Sequence, residues 1–226
     1  MANIYLDQLD RELENRGHSF SRYADDCNIY VGSEPAAKRV METITEWIGA
    51  KLRLTVNASK SGIGRPWERK FLGFCLTQDG LLITASAKSL ARFQARVREL
   101  WDARRSRTSQ EMQEEWQSYV RGWWNYYRLA EWRRPISDLE GWIRRHIRKC
   151  FWLRWHSAKG RLRALRRLGL RGPQLKVAHS SKGAWPIAAS PSLHTALSNA
   201  TLRRQGFLVP SDLARAEGAY LQPLRY

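Results

Sequence analysis

Two adjacent acids, Asp25 and Asp26, are the residues best placed for chemistry. They sit in Phe20-Ser21-Arg22-Tyr23-Ala24-Asp25-Asp26-Cys27-Asn28-Ile29-Tyr30-Val31, between two runs rich in β-branched and aromatic side chains. The pattern predicts a hairpin: a strand to about Ala24, a tight turn at Asp25-Asp26, and a strand from about Asn28 to Val31. Asp tolerates turn backbone geometry, so a turn by itself accounts for both acids. Two carboxylates at a hairpin tip also make a hard, oxygen-rich site suited to Mg²⁺. Both readings stand on this stretch alone.

A second kind of chemistry is written further along. From Arg144 to Arg167 basic residues alternate with aromatic and aliphatic ones, and almost no acid balances them. Such a run usually solvates a helix. Here it reads as a charge footprint for RNA or DNA, with Arg144, Arg145, Arg148, Lys149, Arg154, Arg161, Arg163, Arg166 and Arg167 as candidate contacts. His146 and His156 have no Cys or acid at ligand spacing, so phosphate contact or packing is expected rather than metal.

The whole chain supports a polyanionic partner. Its 226 residues carry a formal net charge of +18. A surface so basic repels itself unless a polyanion is near, with nucleic acid ahead of an anionic membrane surface. Eleven Trp residues add flat rings that can stack on bases, although most are expected in cores. A hydrophobic content of 43% excludes a disordered polymer. Cys27, Cys75 and Cys150 have neither metal-ligand spacing nor a disulfide framework, which fits a reducing, cytoplasmic setting. No apolar run of about 18 residues predicts a membrane span. The start, Met1-Ala2-Asn3-Ile4, has no secretion-signal pattern.

The elements that must position these groups follow from periodicity. Leu6, Leu9 and Leu13 mark a short helix closed by Gly17. After the hairpin, Ser33 caps a second helix with Pro35 in its first turn and an apolar face of Val40, Met41, Ile44, Trp47 and Ile48. Leu52-Arg53-Leu54-Thr55-Val56 alternates and reads as a strand. Phe71 to Leu76 and Leu81 to Thr84 read as a hairpin over Gln78-Asp79-Gly80. Helices then take over: one on Leu90, Phe93, Val97, Leu100 and Trp101, and one capped by Thr108 and Glu111. A third opens near Pro135, with Leu139, Trp142, Ile143, Ile147 and Phe151 on its face. Ser190-Pro191 starts a later helix. The chain is thus read as α+β, an antiparallel sheet unit over 1–84, a helical bundle over 85–208 and a weakly patterned, frayed tail over 209–226.

An ordered series of motifs resembles the group II intron reverse transcriptase/maturases. Asn3 to Asp10 is similar to the segment preceding the family's catalytic box, and Tyr23-Ala24-Asp25-Asp26 resembles the Tyr-x-Asp-Asp box itself. Leu52 to Ser61 resembles the next palm motif, with its Asn and Lys. Phe71-Leu72-Gly73-Phe74 is similar to the primer-grip hairpin. Residues from Ala85 to about Leu208 resemble the thumb, or maturase X domain, most tellingly in Arg121-Gly122-Trp123-Trp124-Asn125-Tyr126-Tyr127.

The resemblance implies a partial antiparallel reverse-transcriptase palm followed by an α-helical thumb/maturase domain. It implies phosphoryl transfer to a DNA 3′ end with Mg²⁺, held by Asp25 as main ligand and Asp26 as the supporting one. Tyr23, Asn57, Lys60, Phe71, Leu72 and Gly73 become expected primer or nucleotide residues, Tyr23 beneath the primer end and Lys60 near the triphosphate. Intron RNA and an RNA/DNA hybrid become the expected partners. The family also has an upstream catalytic Asp and upstream fingers, which this sequence is read as lacking. Asp7 and Asp10 do not substitute, since both lie on the first helix. The expectation is a truncated intron-encoded RNA-directed DNA polymerase/maturase that binds structured intron RNA, assists splicing and is inactive as a polymerase alone. Two alternatives accompany it: half of a split reverse transcriptase completed by an upstream fingers/palm partner, and a non-catalytic basic nucleic-acid-binding protein.

Overall fold

A computed structural model of the chain describes residues 2–80, 82–216 and 218. It is mainly helical with two small two-stranded sheets, and it divides into two compact units, 1–80 and 81–226, each described by itself.

The first unit begins with helix α1, Ala2–Asn15. Gly17, at φ 70°, turns the chain out of it, with the His18 amide reaching back to the Leu13 carbonyl. Strands β1, Ser19–Tyr23, and β2, Asp26–Tyr30, pair antiparallel with Tyr23 opposite Asp26. The two-residue turn is therefore Ala24-Asp25, one residue earlier than predicted, and Asp26 already belongs to β2. Ala24 takes φ 53°, the left-handed geometry that tight hairpin turns require at their first central residue.

Helix α2, Glu34–Trp47, starts at the Ser33 cap with Pro35 in its first turn, as expected. It runs into a π-helical turn, Ile48–Leu52, that ends at Arg53 in left-handed geometry. The strand predicted over Leu52–Val56 does not form. Leu52 is buried in the π-helical turn, and residues 53–57 pair with no strand among the described residues. Alternating side chains make a strand only where a neighbour can take the backbone hydrogen bonds. The core of this unit is one small cluster, Leu9, Leu13, Ile44 and Leu52, edged by Phe20, Cys27, Ile29 and Trp47. Strand β3, Phe74–Leu76, follows a tight turn in which Phe71 and Phe74 exchange backbone hydrogen bonds across Leu72 and Gly73.

The second unit opens on β4, Ile83–Ala85; Leu81, expected in that strand, lies outside the described residues. Helices α3 (Ala87–Leu100), α4 (Ser109–Tyr127) and α5 (Arg134–Arg154) form the bundle. The Thr108/Glu111 capping box is present at the start of α4. Then come α6 (Ala158–Arg167), a 3₁₀ helix over Gly172–His179, and four short helices. These are α7 (Ala184–Ile187), α8 (Pro191–Ala196), α9 (Asn199–Arg204) and α10 (Pro210–Ala216). The core joins Phe93, Val97 and Trp101 of the α3 region to Trp116, Val120 and Trp124 of α4, Ile143, Ile147 and Trp152 of α5, and Leu193, Leu202 and Leu213 of the short helices.

Residues 210–216 form a helix, not a frayed tail. Val209, Pro210, Asp212 and Leu213 are buried, and the Trp116 indole donates to the Leu208 carbonyl at 2.7 Å. Apolar runs this short carry no readable period, so their packing is invisible in sequence. Residues 217 and 219–226 of the predicted tail lie outside the described residues.

Two helix glycines behave oppositely. A Cβ at Gly160, in the first turn of α6, would sit 2.2 Å from the Trp155 carbonyl oxygen. A Cβ at Gly122, mid-way along α4, would meet nothing within 4 Å. Alanine normally stabilises a helix interior by about 1 kcal/mol over glycine, so Gly122→Ala should raise the melting temperature. Gly160→Ala should lower it, because overpacking against backbone costs about 1–3 kcal/mol. Thermal melts of the two variants check the pair.

Candidate nucleic-acid interface

The hairpin tip is exposed and held from one side. Tyr23, Ala24, Asp25 and Asp26 all face solvent. Beneath them the Arg22 guanidinium forks onto Asp10 of α1, its Nε donating to Oδ1 at 2.6 Å and its Nη2 to Oδ2. Its Nη1 donates to the Ala24 carbonyl at 2.8 Å and to Asn3 Oδ1 at 3.2 Å. One side chain therefore ties α1 to the turn that carries the two acids. Nothing in the sequence pattern announces this pairing except an arginine directly before the Tyr-Ala-Asp-Asp stretch. It also fixes the fate of the other acids, since Asp10 is taken by Arg22 and Asp7 pairs with Arg11 at 2.8 Å.

Asp25 and Asp26 are right for Mg²⁺ in donor type and access. Among the described residues no group of three or more His, Cys, Asp or Glu side chains forms a metal site. Two carboxylates suit an ion that completes its shell with water and phosphate oxygens, which is how Mg²⁺ is usually held. Cys27, next to them in sequence, packs against the small core, and burial pushes its thiol up to about 11.

The other residues expected at primer or nucleotide are brought to exposed turns. Asn57 Oδ1 accepts from the Ser59 amide at 3.1 Å, the Ser59 hydroxyl at 2.7 Å and the Lys60 amide at 3.3 Å. Its side chain shapes the turn, and the exposed Lys60 is what that turn presents. Leu72 and Gly73, at φ 51° and 84°, form the tip between Phe71 and Phe74. A leucine in that region is strained, and such strain concentrates at functional turns.

In the second unit the basic run of the sequence separates into two populations. Arg144 and Arg148 are buried, which corrects their assignment as RNA contacts. Arg144 pairs with Asp212 at 3.2 Å and Glu140 at 3.5 Å. Arg148 donates to the Leu197 carbonyl at 2.9 Å and to Asn199 Oδ1 at 2.8 Å. Three more are tethered while half-buried. Arg145 holds the Trp185 carbonyl and lies 4.2 Å over its ring. Arg154 donates to the carbonyls of Arg105 and Arg107, and Arg161 sits 4.4 Å over Trp152. Long stems buried under aromatic rings are packing, and the alternating pattern of the run is their signature. Lys149 is half-buried.

What remains outward is α6. Lys159, Arg163, Arg166 and Arg167 are exposed and recur at helical spacing on one face. No Asp or Glu occurs in the sequence between Glu140 and Asp212, so nothing nearby along the chain neutralises this face. His156 is exposed, at φ 53°. His146 is the opposite case, buried between the rings of Trp142 and Trp185 at 4.2 and 4.9 Å. Burial first, then the positive charges of Lys149, Arg98 and Arg145, lower its pKa to about 4.

A hairpin tipped by two carboxylates is followed in sequence by a basic helical unit, and comparison with known families gives the class. Residues 1–76 match the reverse transcriptase (RNA-dependent DNA polymerase) family, and residues 90–169 match the group II intron, maturase-specific domain. With both matches in this order, the chain belongs to the group II intron reverse transcriptase/maturases. No curated protein matches it. No helix among the described residues is long and apolar enough to cross a membrane.

Two outcomes follow for the buried groups. Arg148→Gln should lower stability by about 1–3 kcal/mol in denaturant unfolding, since it strands the buried Leu197 carbonyl. His146 titrates lower in the folded state than its ordinary 6.5. The unfolded chain therefore takes up the proton first as pH falls. Its contribution to stability is complete above pH 6.5 and is lost as pH drops toward about 4. His146→Gln should flatten the dependence of melting temperature on pH in that window relative to the parent chain.

Proposed function

We propose that this chain is an intron-encoded maturase that binds structured intron RNA through its helical unit and assists splicing. The observation that supports this is the outward basic face of α6, set in a stretch with no acid between Glu140 and Asp212. Phosphates of folded RNA are its natural counterions, and their binding releases condensed cations. In this reading the first unit is part of a reverse-transcriptase palm and the second the thumb/maturase domain. Asp25 and Asp26 hold Mg²⁺, Tyr23 and the Phe71-Leu72-Gly73 turn meet the primer end, and Lys60 meets a triphosphate. Bound there, Mg²⁺ supplies charge stabilisation for phosphoryl transfer. In the same reading Asp25 and Asp26 by themselves are too few donors for two-metal polymerisation. A catalytic form requires a further carboxylate from a fingers/palm partner, and an RNA/DNA hybrid is its substrate.

The test compares two sets of charge-removing variants on a folded group II intron RNA. Replacing Lys159, Arg163, Arg166 and Arg167 with Gln should weaken binding and flatten its salt dependence, by a log–log slope of roughly 0.7–0.9 for each phosphate no longer neutralised. Asp25→Asn with Asp26→Asn should leave affinity unchanged or slightly higher, because repulsion from phosphate is relieved. Affinity that is flat with salt in the parent chain, or lost only in the Asp variant, would falsify the assignment.

A further inference from the structure

Of the eleven tryptophans, all among the described residues, Trp132 alone is exposed, at 41%. The others pack in cores or lie half-buried. Among the described residues of the second unit the only other exposed aromatic ring of a Phe, Tyr or Trp is that of Tyr126, at 44%. Both belong to one short stretch, the last turn of α4 and the loop into α5, which also displays Leu129 at 67%.

This loop is not loose. The amides of Glu131 and Trp132 donate to the Ile83 carbonyl at 2.8 and 3.0 Å. The Thr84 hydroxyl donates to the Trp132 carbonyl at 3.0 Å. Arg133 donates through Nε to the Ala130 carbonyl at 2.8 Å and through Nη2 to the Arg128 carbonyl, and its guanidinium lies 5.2 Å over the ring of Trp124. The Tyr126 ring is braced edge-on against Tyr127 at 5.0 Å. Backbone fixed this thoroughly, with its large apolar side chains turned outward, is preorganised for a partner.

Charge selects the partner. Arg121, five residues before Tyr126 on α4, and Arg134, two residues after Trp132, are exposed and have no ion-pair partner among the described residues. Glu131, the acid within the loop, is turned back onto the Ile83 amide at 2.8 Å. A Cβ at Gly122, one turn before Tyr126 on α4, would meet nothing within 4 Å, so the helix surface there is open.

We propose that Tyr126 and Trp132 form a stacking site for an unpaired base of a bound nucleic acid, with Arg121 and Arg134 on the flanking phosphates. The site is chemically unlike the α6 face, whose exposed side chains are cations without an exposed ring and which recognises phosphate alone. The proposal rests on the nucleic-acid reading given above and adds to it the unpaired nucleotide as the ligand. Aromatic stacking is worth about 1–3 kcal/mol per base and tolerates any sequence.

The experiment measures affinity for a short uridine oligonucleotide and for an abasic oligonucleotide of the same length, at fixed salt. The parent chain should prefer the base-bearing strand by roughly tenfold. Trp132→Tyr, which keeps a ring, should retain most of that preference. Trp132→Leu, which keeps apolar bulk without a π face, should bring it close to one while abasic binding persists. Melting curves accompany each variant, and Tyr126→Leu carries the same comparison should Trp132→Leu fail to fold. A parent chain that binds both strands equally overturns the stacking site and spares the phosphate footprint. A preference unchanged in Trp132→Leu overturns it too and marks the patch as an apolar contact with a protein. Binding to neither strand overturns the stacking site, while the phosphate footprint is decided separately by the folded intron RNA.

Discussion

The second unit depends on one buried carboxylate. The side chain of Asp212 is 1% exposed and accepts from Arg144, from Arg203 Nε at 2.7 Å and from the Val209 amide at 3.2 Å. Alongside it, Glu140 accepts from the Ser211 amide at 2.7 Å and hydroxyl at 2.6 Å. Helices α5, α9 and α10 are fastened at this point. A buried ion pair is a poor source of net stability, but removing one partner leaves the other charged and dry, which is costly. The arrangement therefore specifies where the C-terminal helices dock more than it strengthens the core.

The same arrangement shapes the surface. Glu140 and Asp212 are the acids that bracket the basic stretch in sequence, and both are spent inside, against Arg144 and the backbone. The exterior between them is left uniformly positive. Turning these two acids inward docks the C-terminal segment and leaves the outward charge of the intervening stretch basic. The first unit uses the device on a smaller scale. Asp10 is absorbed by Arg22, and the acids left outward at the tip are Asp25 and Asp26.

The helical framework is legible in sequence because its helices are amphipathic and capped. Ser33, Thr108 with Glu111, and Ser190 announce three starts, and the periodic faces of α3, α4 and α5 are the faces that pack. The Tyr-Ala-Asp-Asp turn falls one residue earlier than its residue types suggest. A two-residue turn is set by which residue accepts left-handed geometry, and alanine gives no sign of it. Leu52 to Val56 shows alternation without a strand, since alternation records side chains and not the availability of a pairing edge. Val209 to Ala216 is hidden for the opposite reason: a single-turn apolar run is too short for periodicity, yet tertiary packing buries much of it.

The sequence by itself determined the family, the exposed pair of carboxylates and the net charge that calls for a polyanion, because these depend on residue type and order. Which arginines face solvent was decided only by the tertiary structure. Arg144, Arg148, Arg163 and Arg166 look alike in a basic run, and nothing local separates them. The distinction arises from contacts at a sequence distance: Asp212 reaching Arg144, the Leu197 carbonyl reaching Arg148, and no packed element over Arg163 and Arg166. The exposure of Trp132 alone among eleven tryptophans was hidden in the same way, since it follows from the hydrogen bonds that pin its loop to Ile83 and Thr84.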